Sequence, residues 1–548
     1  MGTGSGVRGA SFVCGLGKMG HGGARMAGLP PSGIIFGLLL AAATAPTPGV
    51  PLRPADPAAA ADGDLARSAS ELGSQQFRVR QRASAALLRA GERALPHVLD
   101  ALSSRDAEVS RRAMDLVLAI CRSAEIAPTL AARDAVARTA ETRDHPAARR
   151  AASLLAQLDQ QLERRAAEAL EKQGAVVYQA ENAYRVSLGD NYRGGTASLA
   201  VLRCLPRLVF LHVQGAEIGD EALAHVRRQG ELESLALLNV PVSDAGLAHL
   251  AGLKNLRSLH LTRTRVTSAG LAHLEGLSQL ADLRLDGHKD VTDGGLRHLS
   301  NLAQLKNLDL SGTGISDQGL CYLKGLRGIE SLRLNGTNVS GSGLQGMDLG
   351  SLKQLGLEST AVGDGSLEIL RRVSPDFFDL NLQGTSITDA GLVHLRPLKQ
   401  LLQLDLSRTR ITDAGLAHLE PLERLRMLAL SGTQVQGRGF RHLKARQLGE
   451  LHLEDTPVDD EGLEQLQGRA VRLLALQRTR VTDRGLSALK NIAQLQFLRL
   501  DGTRVTAAGM VHLAPLQDLR ELSLVGTAVP PPAVQQLQKA IFKCTIRH

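Results

Sequence analysis

One phrase is written along most of this chain at a fixed interval. TRTRVTSAGLAHL at 262–274 returns, barely altered, as SRTRITDAGLAHL at 407–419, six periods further on. The slot held by Thr264 is held again by Thr313, Thr337, Thr360, Thr385, Thr409, Thr433, Thr456, Thr479, Thr503 and Thr527, at intervals of 23 to 25 residues. Ala216, Val240 and His288 fill it in the remaining units. A period of this length marks a stack of small units, none of which can bury its own apolar residues. It therefore excludes a chain of unrelated globules, which the length of 548 residues alone would suggest.

One unit reads L-x-x-L-x-L-x-x-T-x-V-T-D-x-G-L-x-x-L-x-x-L. In the example from Leu256 to Leu277, Leu259 and Leu261 alternate around His260, the period of a short strand with one buried face. Leu271, Leu274 and Leu277 then recur every three residues, placing one edge of a short, tight helix inward. Asp occupies the cap slot at 220, 244, 293, 317, 364, 389, 413, 460 and 483, just before a Gly-Leu pair in all but 220 (Ala-Leu) and 364 (Ser-Leu). A carboxylate there is expected to cap the first helical turn, for about 1 kcal/mol. These residues resemble the leucine-rich repeat family in its short bacterial form. The resemblance covers about 186–548, with some fourteen clear units and a weaker one at the start. It implies an α/β solenoid, a horseshoe with a parallel inner sheet and outer helices. The slot after the strand, often Asn in the family, is usually Thr here. Its hydroxyl is expected to keep the family's ladder of turn-to-turn hydrogen bonds in lighter form.

Stacked leucines explain the composition. There is no Trp, and only 4 Tyr and 9 Phe, because leucine fills the interior. The formal charge of +9 is interspersed rather than blocked, weak support for a nucleic-acid partner. The cysteines at 14, 121, 204, 321 and 544 form no C-x-x-C pair, so neither a zinc site nor a disulfide framework is signalled. At the C-terminus, VPPPAVQQLQKAIFKCTIRH reads as a capping helix and last strand, with Cys544 and Ile546 in the two inward slots.

The start of the chain reads as an export signal over 1–45. Arg8, Lys18 and Arg25 precede the apolar run IIFGLLLAAATA at 34–45, and Ala43 and Ala45 give an A-x-A cleavage site. The apolar run is too short to span a bilayer, which needs about 20 residues. A Pro/Ala-rich linker over 46–64 follows. Residues 65–172 are rich in Ala, Arg and Leu at helical spacing, and QQFRVRQRASAALL, RDAEVSRRAMDLVL and RDHPAARRAASLL repeat one pattern. This segment resembles HEAT-type helical pairs, an all-α domain ahead of the horseshoe. The resemblance implies that Asp106 with Arg111, and Asp144 with Arg149, tie neighbouring units. LERRAAEALEKQGAVVYQ at 162–179 reads as a helix passing into the first strand of the 173–548 domain and capping it.

No nucleophile stands beside a base at catalytic spacing, and G-x-S-x-G, H-E-x-x-H and the Gly-Lys-Thr phosphate loop are all missing. The reading is therefore not an enzyme, with no cofactor and no metal. The histidines at 225, 249, 273, 298, 394, 418, 442 and 512 follow from the repeat, one per outer helix. Adjacent helices stand about 8–10 Å apart, too far to share a metal.

The residue between the two inward leucines of each strand faces the concave side. His260, Arg284, Asp309 and Arg333 follow one another there as a charged ladder, and His452 and Arg499 occupy the same slot later. Two residues earlier in their strands stand Met427, Leu473 and Phe497, an apolar floor edged by Arg408, Arg410, Arg478, Arg480 and Arg504. An apolar centre with arginine around it is how protein interfaces are commonly composed. The expectation is a monomeric, extracytoplasmic scaffold that binds a protein partner through this face, with no transmembrane span and no nucleic acid. Two alternatives are a carbohydrate or cell-wall binder, and a cytosolic substrate-recognition subunit resembling F-box leucine-rich repeat proteins.

Overall fold

The computed structural model describes residues 57–548, apart from 123, 142–147, 182, 216–217 and 446. The leader and its cleavage site, the linker up to 56, and the residues Cys14, Asp144 and Ala216 lie outside the described residues.

Six helices lead the described chain: α1 (Pro57–Ser70), α2 (Phe77–Ala90), α3 (Leu95–Leu102), α4 (Ala107–Cys121), α5 (Ile126–Glu141) and α6 (Ala148–Lys172). Helix α1 begins inside the segment read as a linker. Gly91, at φ 58°, ends α2, and Pro96 sits in the first turn of α3, where its missing N–H costs nothing. The expected Asp106–Arg111 tie is not made. Asp106 instead caps α4, accepting from the amides of Glu108 (2.9 Å) and Val109 (3.4 Å). Arg111 pairs with Glu108 one helical turn away. That pairing, together with Arg112, holds the Glu108 carboxyl down at about 2.

The rest is one 17-stranded sheet. Its strands are β1 (Val176–Ala180), β2 (Ala183–Leu188), β3 (Leu208–Gln214), β4 (Ser234–Leu238), β5 (Ser258–Thr262), β6 (Asp282–Arg284), β7 (Asn307–Asp309), β8 (Ser331–Arg333), β9 (Gln354–Gly356), β10 (Asp379–Asn381), β11 (Gln403–Asp405), β12 (Met427–Ala429), β13 (Glu450–His452), β14 (Leu473–Ala475), β15 (Phe497–Arg499), β16 (Glu521–Ser523) and β17 (Thr545–Arg547). From β2 to β17 each strand runs parallel to the next, in chain order. Strand β1 differs from expectation. It pairs antiparallel with β2 as a hairpin, so it covers the end of the stack rather than beginning it. Short α and 3-10 helices return the chain after each strand, as the three-residue leucine spacing predicts.

One continuous core runs from Leu162 to Cys544. From β4 to β16 the two leucines flanking each strand's central residue enter it; Leu380, Leu382, Leu404 and Leu406 are all fully buried. Helix α6 belongs to two cores at once. Its Ala151, Leu154 and Leu158 complete the core of the leading helices, while Leu162, Ala166 and Leu170 begin that of the solenoid. The helices and the repeats are thereby packed as one body, joined by a single amphipathic stripe. At the other end the register corrects the sequence reading by two residues. Ile546 pairs with Leu522, the first inward slot, and Cys544 lies ahead of the strand. The thiol is buried all the same, which pushes it up to about 11.

Two polar ladders differ from expectation. From Thr313 onward the threonines do not bridge units: each Oγ1 donates to the carbonyl three residues back, as Thr409 does to Leu406 (2.5 Å) and Thr433 to Leu430 (2.6 Å), and only Thr264 is joined across units, by His288 (2.8 Å). The hydroxyl sits above its own turn, too short to reach the next. His288 has the longer reach in that slot. Its Nδ1 bonds the Leu285 carbonyl (3.0 Å), and its Nε2 accepts the amide of Thr264 in the preceding unit (3.1 Å).

The aspartates do bridge units. Asp389 is the second residue of the T-D-x-G-L phrase, and its carboxylate turns to the following repeat. There it accepts from the Thr412 amide (2.8 Å) and hydroxyl (2.6 Å). Asp220 does the same to Ser243, Asp293 to Ser316, Asp460 to Thr482 and Asp483 to Thr506. The helix cap falls to the residue before it, as when Ser243 and Thr482 accept from amides two residues on. This placement explains the invariant spacing of the glycine. A β-carbon at Gly415 would land on Oδ1 of Asp389, and one at Gly509 on Oδ1 of Asp483. At Gly246, Gly270, Gly319, Gly391, Gly415, Gly485 and Gly509 the glycine is the space required by the carboxylate of the unit before.

Candidate docking face

The strands alternate with period two, so three residues per strand face away from the leucine core. They form three columns across the sheet. The central column runs His260, Arg284, Asp309, Arg333, Gly356, Asn381, Asp405, Ala429, His452, Ala475 and Arg499. One cavity of about 590 Å³ touches residues from Thr262 in β5 to Met427 in β12, which makes the face concave.

The charged ladder is present, with different partners from those the central column alone suggests. His260 lies 3.3 Å from Asp282, and Arg284 lies 3.6 Å from the same carboxylate. Burial pushes Asp282 up, but the His260 and Arg284 contacts outweigh it and leave the carboxyl below its usual value. Arg333 reaches Asp309 at 3.7 Å. Further along, the His452 ring stands 3.6 Å from Glu454 and 3.9 Å from Glu450. The Glu454 carboxylate raises the imidazole above its ordinary value despite its burial. Sequence reasoning passed over Asp282, Asp379, Glu450 and Glu454. All four stand two residues from a central slot, so the period-two alternation already put them on this face.

The apolar floor is narrower than expected. In the first column the register is Met427, Glu450, Leu473, Phe497 and Glu521. Glu450 thus separates Met427 from the adjacent pair Leu473 and Phe497. All three apolar side chains are half-buried. The Arg472 guanidinium lies 5.7 Å from the centre of the Phe497 ring and bonds Glu450 at 2.7 Å.

Arg408, Arg410, Arg478, Arg480 and Arg504 are exposed along the edge where the chain leaves the sheet. Two of them sit in a slot that is left-handed in every unit: Arg408 at φ 56° and Arg478 at φ 56°, where Gly384, Gly432, Gly502 and Gly526 serve elsewhere. A side chain there costs of order 1 kcal/mol. Arg478 is held by two contacts of 2.5 Å to Asp455 in the preceding unit. The outer histidines stay separate. His298 bonds Glu275, and among the described residues no group of three or more His, Cys, Asp or Glu is arranged to hold a metal ion. No described helix is long and apolar enough to cross a membrane.

No protein-family model and no curated protein matches the chain. Solved structures similar to it include an internalin from Listeria monocytogenes, at 19% identity and TM-score 0.42, covering 61% of this chain and 85% of that one. A leucine-rich-repeat protein from Leptospira interrogans is similar at 20% identity and TM-score 0.40, covering 64% and 80%. A plant peptide hormone receptor, solved in complex with RGF2, is similar at 15% identity and TM-score 0.37, covering 63% and 64%. Likenesses at this level do not carry the assignment. The chain's own period, its parallel register and its shared leucine core do, and by them it folds as a leucine-rich-repeat solenoid preceded by a helical domain.

Proposed function

We propose that this chain is an exported, non-enzymatic scaffold that holds a protein partner on the concave sheet. The observation that carries the reading is the set of three outward columns. They present half-buried charged and apolar side chains along successive strands, and none of these is needed by the core. The surface is shaped to meet another polypeptide over a long front. The columns hold carboxylates in β6, β7, β10, β11 and β13, which repel a phosphate backbone. From β3 to β16 they hold no Trp or Tyr on which a sugar ring would stack.

Within the face, the C-terminal half is the contact region. The pair Leu473 and Phe497 forms its apolar centre, with Arg478, Arg480, Arg499 and Arg504 around it. Export is supported by the basic leader, the apolar run and the A-x-A site. It predicts that intact-mass analysis of the protein from its native host finds Pro46 at the N-terminus.

The combined variant Arg478→Gly/Phe497→Ala/Arg499→Ala tests the contact region. Glycine suits the left-handed slot, and the other two positions lie outside the core, so the melting temperature is expected to hold. Capture of the partner is expected to be lost. Undiminished capture by the folded variant would remove the assignment.

A further inference from the structure

The middle of the concave face carries a charge opposite to that of the chain. The whole chain is +9. From β7 to β13, however, the three columns hold Asp309, Glu358, Asp379, Asp405, Glu450 and Glu454 against the single guanidinium of Arg333. Three of these acids are balanced locally: Asp309 by Arg333, Glu450 by Arg472 and Glu454 by His452. The other three are not. Asp379 meets only the Gln354 amide group (3.3 Å), Asp405 the Ser407 backbone amide (2.8 Å) and Glu358 the Asn381 amide group (3.4 Å). Among the described residues none of them has a cation within ion-pair distance.

Asp379 and Asp405 line the cavity over Gly356, the one central slot that has no side chain; with Asp286 and Asp309 they make four carboxylates there against the two guanidiniums of Arg284 and Arg333. Gly356 has an unstrained backbone, so conformation does not demand glycine there. What a side chain would do is occupy the basin: its β-carbon would stand 2.7 Å from Oδ1 of Asn335. The cavity over it, about 590 Å³, has room for a guanidinium or ammonium group and its stem. Burial raises the Asp379 carboxyl above the usual value, outweighing the lowering by the Arg333 charge and the Gln354 hydrogen bond. Half-buried carboxylates without an ion-pair contact are costly, and a cation arriving from outside would reduce that cost while gaining charge-assisted hydrogen bonds.

We propose that the basin over Gly356 is an anchor pocket for an arginine or lysine side chain of a basic polypeptide segment, held by Asp379 and Asp405. The inference rests on the concave face being the docking surface, and it names the chemistry of what docks there. The occupant is a polypeptide because the cavity continues across β5 to β12, longer than one cationic group needs.

The probe is N-acetyl octa-arginine amide, titrated calorimetrically into the full chain at physiological salt. Saturable binding is expected despite the protein's net positive charge. Asp379→Asn/Asp405→Asn, which keeps shape and removes charge, is expected to weaken it by about tenfold or more. Gly356→Leu should do the same by filling the basin. Glu221→Gln/Glu368→Gln, on exposed outer helices, should change nothing. Absence of saturable binding to the unaltered chain, or equal weakening by the outer-helix variant, overturns the pocket. The two readings fail separately. If octa-arginine ignores the basin while the Arg478→Gly/Phe497→Ala/Arg499→Ala variant loses its partner, only the pocket falls. If octa-arginine obeys the basin while that variant keeps its partner, only the C-terminal contact region falls.

Discussion

A methyl group at Gly415 has nowhere to go, because the carboxylate of Asp389 already occupies that space. The two residues are thus one device written in different repeats. Gly415→Ala and Asp389→Ala are each expected to cost about 2 kcal/mol, the second by leaving the Thr412 amide without its partner. The double variant should cost clearly less than the sum, since the alanine then fills the space the carboxylate has left. Denaturant unfolding of the four proteins measures the coupling, and additive losses would refute it. The sequence shows both residues along the repeats, the aspartate at nine positions, but not their relation. An Asp before a helix reads as its cap, and only the stacking distance reveals that it faces the next repeat. Threonine was misread for the converse reason, its hydroxyl being too short to leave its own turn.

Residue scale also sets a pH dependence. Glu454 raises the His452 imidazole above its ordinary value. The pair's stabilising contact is therefore present in full below the ordinary histidine range, and it fades as pH rises through the raised value. At the acid end Glu454 limits it. Burial raises that carboxyl, but His452 and Ser431 outweigh it and hold it below normal, so the contact is lost only as pH falls through that lowered value. An NMR titration, with the His452 signal assigned by its loss in His452→Gln, should show the raised midpoint. The midpoint should drop in Glu454→Gln; an unchanged value would mean the carboxylate is not the cause.

Among the elements, the strands are the most interchangeable parts and the ends the least. From β4 to β16 each strand contributes two buried leucines to a core that neighbours on both sides complete. Leu404→Ala in β11 is expected to cost about 3 kcal/mol, because flanking units held by the aspartate ladder cannot collapse into the cavity. The ends have only one neighbour. Deleting residues 531–548 removes the helix Pro531–Ala540 and β17 and bares the edge of β16. The shortened protein should melt at lower temperature and self-associate on a sizing column, as uncapped solenoids do. Strands and returning helices were legible from the leucine spacing alone. The β1–β2 hairpin was not, since AVVYQ alternates like any strand and nothing in it shows direction. The two-residue shift at Ile546 has the same origin: the final unit lacks the leucine frame that would fix its register.

For the whole molecule, the period settled the architecture and α6 settled its unity. The stripe Ala151, Leu154, Leu158, Leu162, Ala166 and Leu170 reads from the sequence as one helical face. That its two halves enter different cores is visible only in three dimensions. The face was legible in part. Central slots follow from alternation, and the flanking columns follow by the same rule. The contrast between the basic chain and its acidic concave centre emerges only when the strands are laid side by side.

Placing a photo-crosslinking residue at Gln403 on the concave sheet, and separately at Val393 on an exposed outer helix, tests that arrangement most directly. With the native partner present, crosslinks are expected from Gln403 and not from Val393. Crosslinking from Val393 alone would place the partner on the opposite side and contradict a docking face built from the residues between the leucines.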